Sequence, residues 1–192
     1  MNKKDGKYNQ ILDAAMKVLS EGGFEKTPVS RIVKEAGVAQ GTFYLYFSSK
    51  SEVVPAIAER IFNEQMAAIA NRDEGSRSFK DTLSVMIDET FKITERYRNV
   101  IIFCYSGMAF YQSFDRWEQI YRPYYEWVHE RFEAACTRGE CHPAIDSMSQ
   151  VKMMINTIEN TAENHFFSHS QTSKQTVEEL KDNVWIFLKN TF

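Results

Sequence analysis

The residues best placed to touch a polar partner lie in one short stretch, Gln40-Gly41-Thr42-Phe43-Tyr44-Leu45-Tyr46-Phe47, with Lys50 just beyond it. Gln40 carries an amide that both donates and accepts, which suits a base edge, and Gly41 lets a backbone come close. The Tyr44 and Tyr46 hydroxyls can donate to phosphate oxygens, and Lys50 adds a positive charge. Phe43 and Phe47 lie four apart, so they share one helical face and are expected to point inward. Gln40, Gly41, Thr42, Tyr44, Leu45 and Tyr46 then point outward or sit at the rim. Taken singly, each tyrosine is equally well an ordinary half-buried aromatic. As a set, they have the chemistry of a surface laid against DNA.

Other candidates lie further along. Residues 97–132 are dense in aromatic rings, Phe103, Tyr105, Tyr111, Trp117, Tyr121 and Tyr125 among them. Each ring alone is best explained as core, although buried Tyr and Trp tips need a polar partner. Glu159 and Glu163 are one turn apart among Ile155, Ile158 and Ala162. An inward-facing member would pair with a cationic ligand, whereas a solvated face is the commoner arrangement. His165 and His169 share a helical face but lack a third ligand, and Cys136, Cys141 and His142 leave a tetrahedral site incomplete. The expectation is therefore no metal and no cofactor. The sequence contains no G-x-S-x-G, P-loop or H-E-x-x-H, and no convincing acid–base pair.

The elements that must position these residues read as helices. Tyr8, Ile11, Leu12, Ala15, Met16 and Leu19 recur at steps of three and four and mark a first helix, stopped by Gly22-Gly23. Thr27-Pro28 reads as the cap and first position of a second helix, with Val29, Ile32, Val33 and Ala36 as its buried stripe and Gly37 as its end. A third helix covers about Gln40 to Phe47. Ser49 and Glu52 have capping-box spacing for a long fourth helix, in which Pro55 falls beyond the tolerated first turn and forms a candidate flex point. Further helices are expected over Phe79–Tyr97, Asn99–Phe114, 115–138 (with a break at Pro123), about 147–168 and 173–191. The fold class is thus all-α, with about nine helices. No period-two alternation suggests strands.

Composition sets the bounds. Hydrophobic residues at 43% and charged residues at 26% describe an ordinary globular chain. The opening MNKKDGKYNQ has no apolar run after it, so it does not read as a signal peptide, and a cytoplasmic, non-membrane protein is expected. Three cysteines argue against a disulfide framework. Of 23 basic and 26 acidic residues, eight and five fall within residues 1–50, a mildly basic head on an acidic body.

A short helix two, a turn at Gly37 and a short helix three follow the helix-turn-helix plan, in which the second of the two enters the major groove. The run Val38 to Glu52, with Gly23-Phe24 and Thr27-Pro28-Val29-Ser30-Arg31-Ile32 before it, resembles the DNA-binding signature of the TetR/AcrR family of bacterial repressors. The resemblance covers residues about 8–60. It implies a homodimer on double-stranded operator DNA, with a helix-turn-helix domain at 1–50 and a helical effector-binding and dimerisation domain at 51–192. By position, Thr27, Tyr44, Tyr46 and Lys50 match that family's phosphate contacts, and Gln40, Gly41 and Leu45 its base-facing sites; Arg31 and Thr42 complete the candidate DNA-binding set. Ala39 departs from a common serine, and Leu45 from a commonly polar or aromatic residue. The resemblance also supplies a pocket for a small-molecule effector, for which Phe62, Met66, Phe103, Tyr105, Met108, Tyr111, Trp117, Tyr121, Tyr125 and Glu159 are the candidates. The last two helices are apolar enough to need a partner surface, which points to Met154, Ile158, Ala162, Val177, Leu180, Val184 and Leu188 as a dimer interface, with packing onto their own domain as the alternative. The function expected is a repressor released from DNA by a small hydrophobic or aromatic ligand. An architectural DNA binder without effector and an enzyme using the aromatic cavity are the alternatives.

Overall fold

The computed structural model describes residues 3–111, 114–167 and 175–191. Among these there are eight α-helices and no strand: α1 (Lys3–Gly22), α2 (Val29–Ala36), α3 (Gln40–Tyr44), α4 (Val53–Asp73), α5 (Phe79–Tyr111), α6 (Phe114–Thr137), α7 (Ser147–Phe167) and α8 (Val177–Lys189). The chain divides into two compact units, Met1–Ile61 with Asn99–Ser113, and Phe62–Arg98 with Phe114–Phe192.

In the first unit the apolar stripes meet as their spacing requires. Ile11, Leu12, Ala15, Val18 and Leu19 of α1 are buried together with Ile32, Val33 and Ala36 of α2 and Phe43 of α3. Phe47 is also buried, stacked at 5.2 Å on Tyr8 and 5.5 Å from Phe43. Two glycines end helices in the left-handed region, Gly23 at φ 73° and Gly37 at φ 62°. A side chain with a Cβ would be strained at either position. At Gly37 the chain closes a C-terminal motif, with Gly37 N–H donating to Lys34 O and Val38 N–H to Val33 O.

Several element ends differ from the sequence expectation. Helix α2 begins at Val29 with Pro28 as its cap and no side-chain cap bond. The Thr27 hydroxyl turns inward instead and donates to Val18 O at 3.4 Å. Successive bonds from Glu52, Val53 and Val54 N–H to the carbonyls three residues back carry the chain tightly into α4, which starts at Val53. Pro55 is thereby the third residue of the helix, within the first turn, where no intrahelical N–H is missed. The ground for treating it as a flex point disappears. Pro123 likewise lies inside an unbroken α6. Both it and Gln119, whose carbonyl it leaves without a partner, are exposed, so water can satisfy the freed group. The two segments expected at Phe79–Tyr97 and Asn99–Phe114 are one 33-residue helix. Asn99 can cap a helix, but here α5 runs through it unbroken, which leaves eight helices among the described residues rather than nine.

The second unit is built on a core of Phe79, Leu83, Met86, Ile87 and Phe91 from α5, Tyr124, Val128 and Phe132 from α6, and Val151, Ile155 and Ile158 from α7. Its last helix opens on a full capping box, Thr176 accepting from Glu179 N–H while the Glu179 carboxylate accepts from Thr176 N–H. All three cysteines are free thiols, with Cys136 and Cys141 in contact across the Gly139 turn.

The expected interface residues need correcting here. Met154, Ile158, Ala162, Val184 and Leu188 are buried in the chain's own core, and Val177 and Leu180 pack against it. Periodicity identified the apolar stripe of each helix, but the stripe is consumed internally. The apolar side chains that α7 and α8 leave exposed are Met153, Ile186 and Phe187.

Candidate functional site

The outward face of α3 is built by the inward one. Phe43 is fully buried, and its anchoring turns Gln40, Gly41, Tyr44 and Leu45 to solvent; Thr42 and Tyr46 are half-buried. Leu45 is 81% exposed, an apolar side chain with nothing in its own unit to cover it. A Cβ placed on Gly41 would meet no atom within 4 Å, so nothing in this chain requires glycine there. Tyr46 leans edge-on against Tyr8, with ring centroids 6.1 Å apart, while its hydroxyl end stays at the rim.

Around this face the structure sorts the remaining candidates. Arg31 is exposed and pairs with Glu21 at 3.1 Å. Lys50 is half-buried, donating from Nζ to Phe24 O at 2.6 Å and lying 4.1 Å above the Phe24 ring. It therefore pins the segment between α1 and α2 as well as carrying charge. Thr27 does not join the face. It is wholly buried, and a Cβ on Gly22 would already lie 2.9 Å from its hydroxyl oxygen. A phosphate cannot reach it.

The second group of candidates gathers in the other unit. Phe62 lies 4.5 Å from the Tyr121 ring, which lies 5.6 Å from Tyr125. The Tyr121 hydroxyl donates to Glu159 Oε2 at 3.1 Å, and Gln65 Nε2 reaches Glu159 Oε1 at 3.4 Å and Thr90 Oγ1 at 3.3 Å. The fully buried Tyr124 hydroxyl also bonds Thr90 and Gln65. Burial, seconded by the neighbouring Glu163, raises the Glu159 carboxyl to about 8, against the Tyr121 and Gln65 hydrogen bonds. Burial and Glu159 also raise Tyr124 well above the usual tyrosine range and bring Tyr125 to about 12. Met66 and Trp117 are partly buried, Met66 against the core of this unit. The side chains of Phe103, Tyr105, Met108 and Tyr111 lie outside the described residues. His165 packs edge-on against Phe166, and His169 also lies outside the described residues.

Gln65 and Thr90 are absent from the sequence candidates; Tyr124 belongs to the aromatic stretch 97–132 but not to the candidate ligand set. A signal existed for the first two. Gln65 falls midway between Ile61 and Ile69 on one helical stripe, and Thr90 follows Met86 by one turn, so each is a polar residue on an apolar face. Such a residue, once buried, must find hydrogen-bond partners.

Comparison with known proteins bears on both groups. The sequence profile described as "Bacterial regulatory proteins, tetR family" matches residues 11–57, and that described as "Tetracyclin repressor-like, C-terminal domain" matches residues 83–192. The chain belongs to the TetR family. It is 44% identical over 97% of its length, and 95% of the relative's, to the HTH-type transcriptional regulator YvdT of Bacillus subtilis. A 36% identity to the fatty acid metabolism regulator protein of the same organism spans 53% of each chain. Among solved structures it is similar in fold to the regulator FadR from Bacillus subtilis in complex with stearoyl-CoA, with TM-score 0.78, 24% identity and 96% and 99% of the two chains covered. It is likewise similar to AibR in complex with isovaleryl coenzyme A and operator DNA, with TM-score 0.67, 16% identity and 97% and 100% covered. Like other TetR-family members, this chain is a DNA-binding transcriptional regulator. Among the described residues no helix is long and apolar enough to cross a membrane.

Proposed function

We propose that this regulator is a cytoplasmic, non-enzymatic repressor that a small hydrophobic or aromatic ligand lifts from its operator. Residues 1–50 form the DNA-reading domain, and residues 51–192 the effector-binding and dimerisation domain. Gln40, Gly41, Thr42 and Leu45 meet base edges, with Leu45 suited to a thymine methyl. Tyr44, Tyr46, Arg31 and Lys50 hold phosphates and set register. Two copies place their α3 helices in successive major grooves, about 34–36 Å or a multiple apart. The copies meet through the apolar face that α7 and α8 leave open, where Met153, Phe187 and Ile145 border a groove of about 490 Å³.

The observation that carries the ligand-released reading is the Glu159 network. A carboxyl desolvated among tyrosines and bonded, among the described residues, by neutral donors is costly to keep in a core for stability alone. Aromatic walls with a few convergent polar groups are what a small-molecule site requires. The FadR and AibR complexes add that relatives of this fold hold acyl-CoA ligands. A ligand that binds better to a non-DNA spacing of the dimer shifts the population off the operator, by no more than its differential affinity. The test is a thermal-shift screen that includes stearoyl-CoA and isovaleryl-CoA, followed by fluorescence anisotropy on the chain's own promoter DNA. A stabilising compound is expected to weaken promoter binding. Stabilisation with unchanged promoter affinity would sink the release mechanism.

A further inference from the structure

Among the described residues of the second unit, Glu159 is unusual because its neighbours supply hydrogen bonds and no positive charge. Several other enclosed or semi-enclosed acids there have basic partners: Asp73 has Arg131 at 2.5 Å, Glu89 has Arg72 at 2.5 Å and Lys92 at 2.9 Å, and Glu64 has Arg96. Among the described residues no Lys, Arg or His lies within ion-pair reach of Glu159, whose bonds come from the amide of Gln65 and the phenol of Tyr121. Two neutral donors leave part of an ionised carboxylate's accepting capacity unused. The residue nonetheless keeps accessible surface although its carboxyl is strongly desolvated.

The walls around it favour one sign of charge. Aromatic faces attract ammonium and guanidinium groups, and more strongly where water is excluded. Tyr125 already shows this behaviour: the Lys152 ammonium sits 4.6 Å from its ring centroid. Lys152 itself is held by Glu118 at 2.7 Å. The Tyr121 ring packs between Phe62 and Tyr125 and sets aromatic walls directly beside the carboxylate it hydrogen-bonds.

We propose that the Gln65–Tyr121–Glu159 cluster seats the head of a lipophilic organic cation, a protonated amine carried on an apolar or aromatic body. The inference rests on the ligand-released reading and narrows its ligand class. The incoming cation supplies the charge that the fold withholds, and Glu159 gives up its proton to solvent when the ligand enters. Among the described residues, the charged and titratable groups facing Glu159 are Glu163 on its own helix and Tyr121, Tyr124 and Tyr125 on α6. The side chains reaching it from α4 and α5, Gln65 and Thr90, are uncharged. Glu163 strengthens the attraction for a cation and repels an anionic head.

The test uses the full chain and three probes of one shape: 4-phenylbutylamine, 4-phenylbutanol and 4-phenylbutyrate, titrated by calorimetry at pH 7 and pH 9. The amine is expected to bind about ten-fold tighter than the alcohol at pH 9, with the butyrate weakest and the preference smaller at pH 7. In Glu159→Gln the preference for the amine over the alcohol and its pH dependence should both vanish. Tyr121→Phe, which keeps the ring, should retain most of the preference, guarding against a misfolded Gln variant. Equal or weaker binding of the amine, no binding of any probe, or a preference that survives Glu159→Gln would overturn the proposal. Stearoyl-CoA separates the two claims. If it releases promoter DNA while the amine fails, the cation assignment falls and ligand release stands. If the amine binds but leaves promoter binding untouched, the site stands and ligand release falls.

Discussion

The two units solve opposite problems with the same kind of helix. In α3 the functional side chains are those left over after the fold is satisfied: Phe43 and Phe47 are spent inward, and Gln40, Gly41, Tyr44 and Leu45 stay exposed. Around Glu159 the functional side chains are the ones buried with the core, and their hydrogen bonds are part of what orders it. A substitution on the first face should therefore change binding with little change in stability. A substitution in the second should change both.

The sharpest way to break this contrast is to attack the scaffold beneath the reading face. Phe43→Ala should destabilise the first unit by about 3–5 kcal/mol and abolish promoter binding, as a denaturation midpoint and a gel shift would show. A stable Phe43→Ala protein would mean that α3 is held by something other than its packing.

Next in size is Glu159→Gln, where stability and ligand chemistry are coupled. The folded carboxyl titrates at about 8 rather than 4.5, so its neutral form's stabilising share is fully present below about 4.5. That share is lost as pH rises through about 8. The native chain should thus lose thermal stability between pH 6 and pH 9 by several degrees, and Glu159→Gln should flatten that decline. Parallel melting curves for the two proteins across this range would contradict the burial argument.

Gly41→Ala separates binding from folding on the exposed face. With no atom within 4 Å of the added Cβ, helix propensity alone should stabilise α3 by about 0.5–1 kcal/mol. Promoter affinity should nevertheless fall, because the methyl meets DNA. Unchanged affinity would place Gly41 off the interface. Tyr44→Phe tests the division of labour more gently. Loss of one phosphate hydrogen bond should weaken binding to every DNA by about 1 kcal/mol and leave sequence preference intact. Smallest of all is Pro55→Ala, expected to leave DNA affinity and ligand response as they were, since Pro55 occupies the first turn of α4.

These outcomes also show what could be read from residues alone. The helix-turn-helix was legible because its signals are local: Gly37, the Phe43–Phe47 spacing and the apolar stripes of α1 and α2 act within a few residues of one another. The corrected details are those in which a distant residue competes for a side chain. Thr27 has the right type and place for a cap, yet Val18 O from α1 takes its hydroxyl. Ser49 has capping-box spacing, but the helix opens later, at Val53. The apolar stripes of α7 and α8 suggest an interface because periodicity reports that a face is apolar and not what covers it; here the chain covers most of it itself. Glu159 was visible as a charged residue on an apolar stripe. Its partners Gln65 and Thr90 were not connected to it, because they come from helices tens of residues away.

The claim on which the rest depends is that α3 reads sequence. It is tested most directly by measuring the affinity of the full chain for its own promoter DNA and for random DNA of equal length at one fixed salt concentration near physiological. A preference of about a thousand-fold or more for the promoter is expected. Equal affinity for both would contradict it.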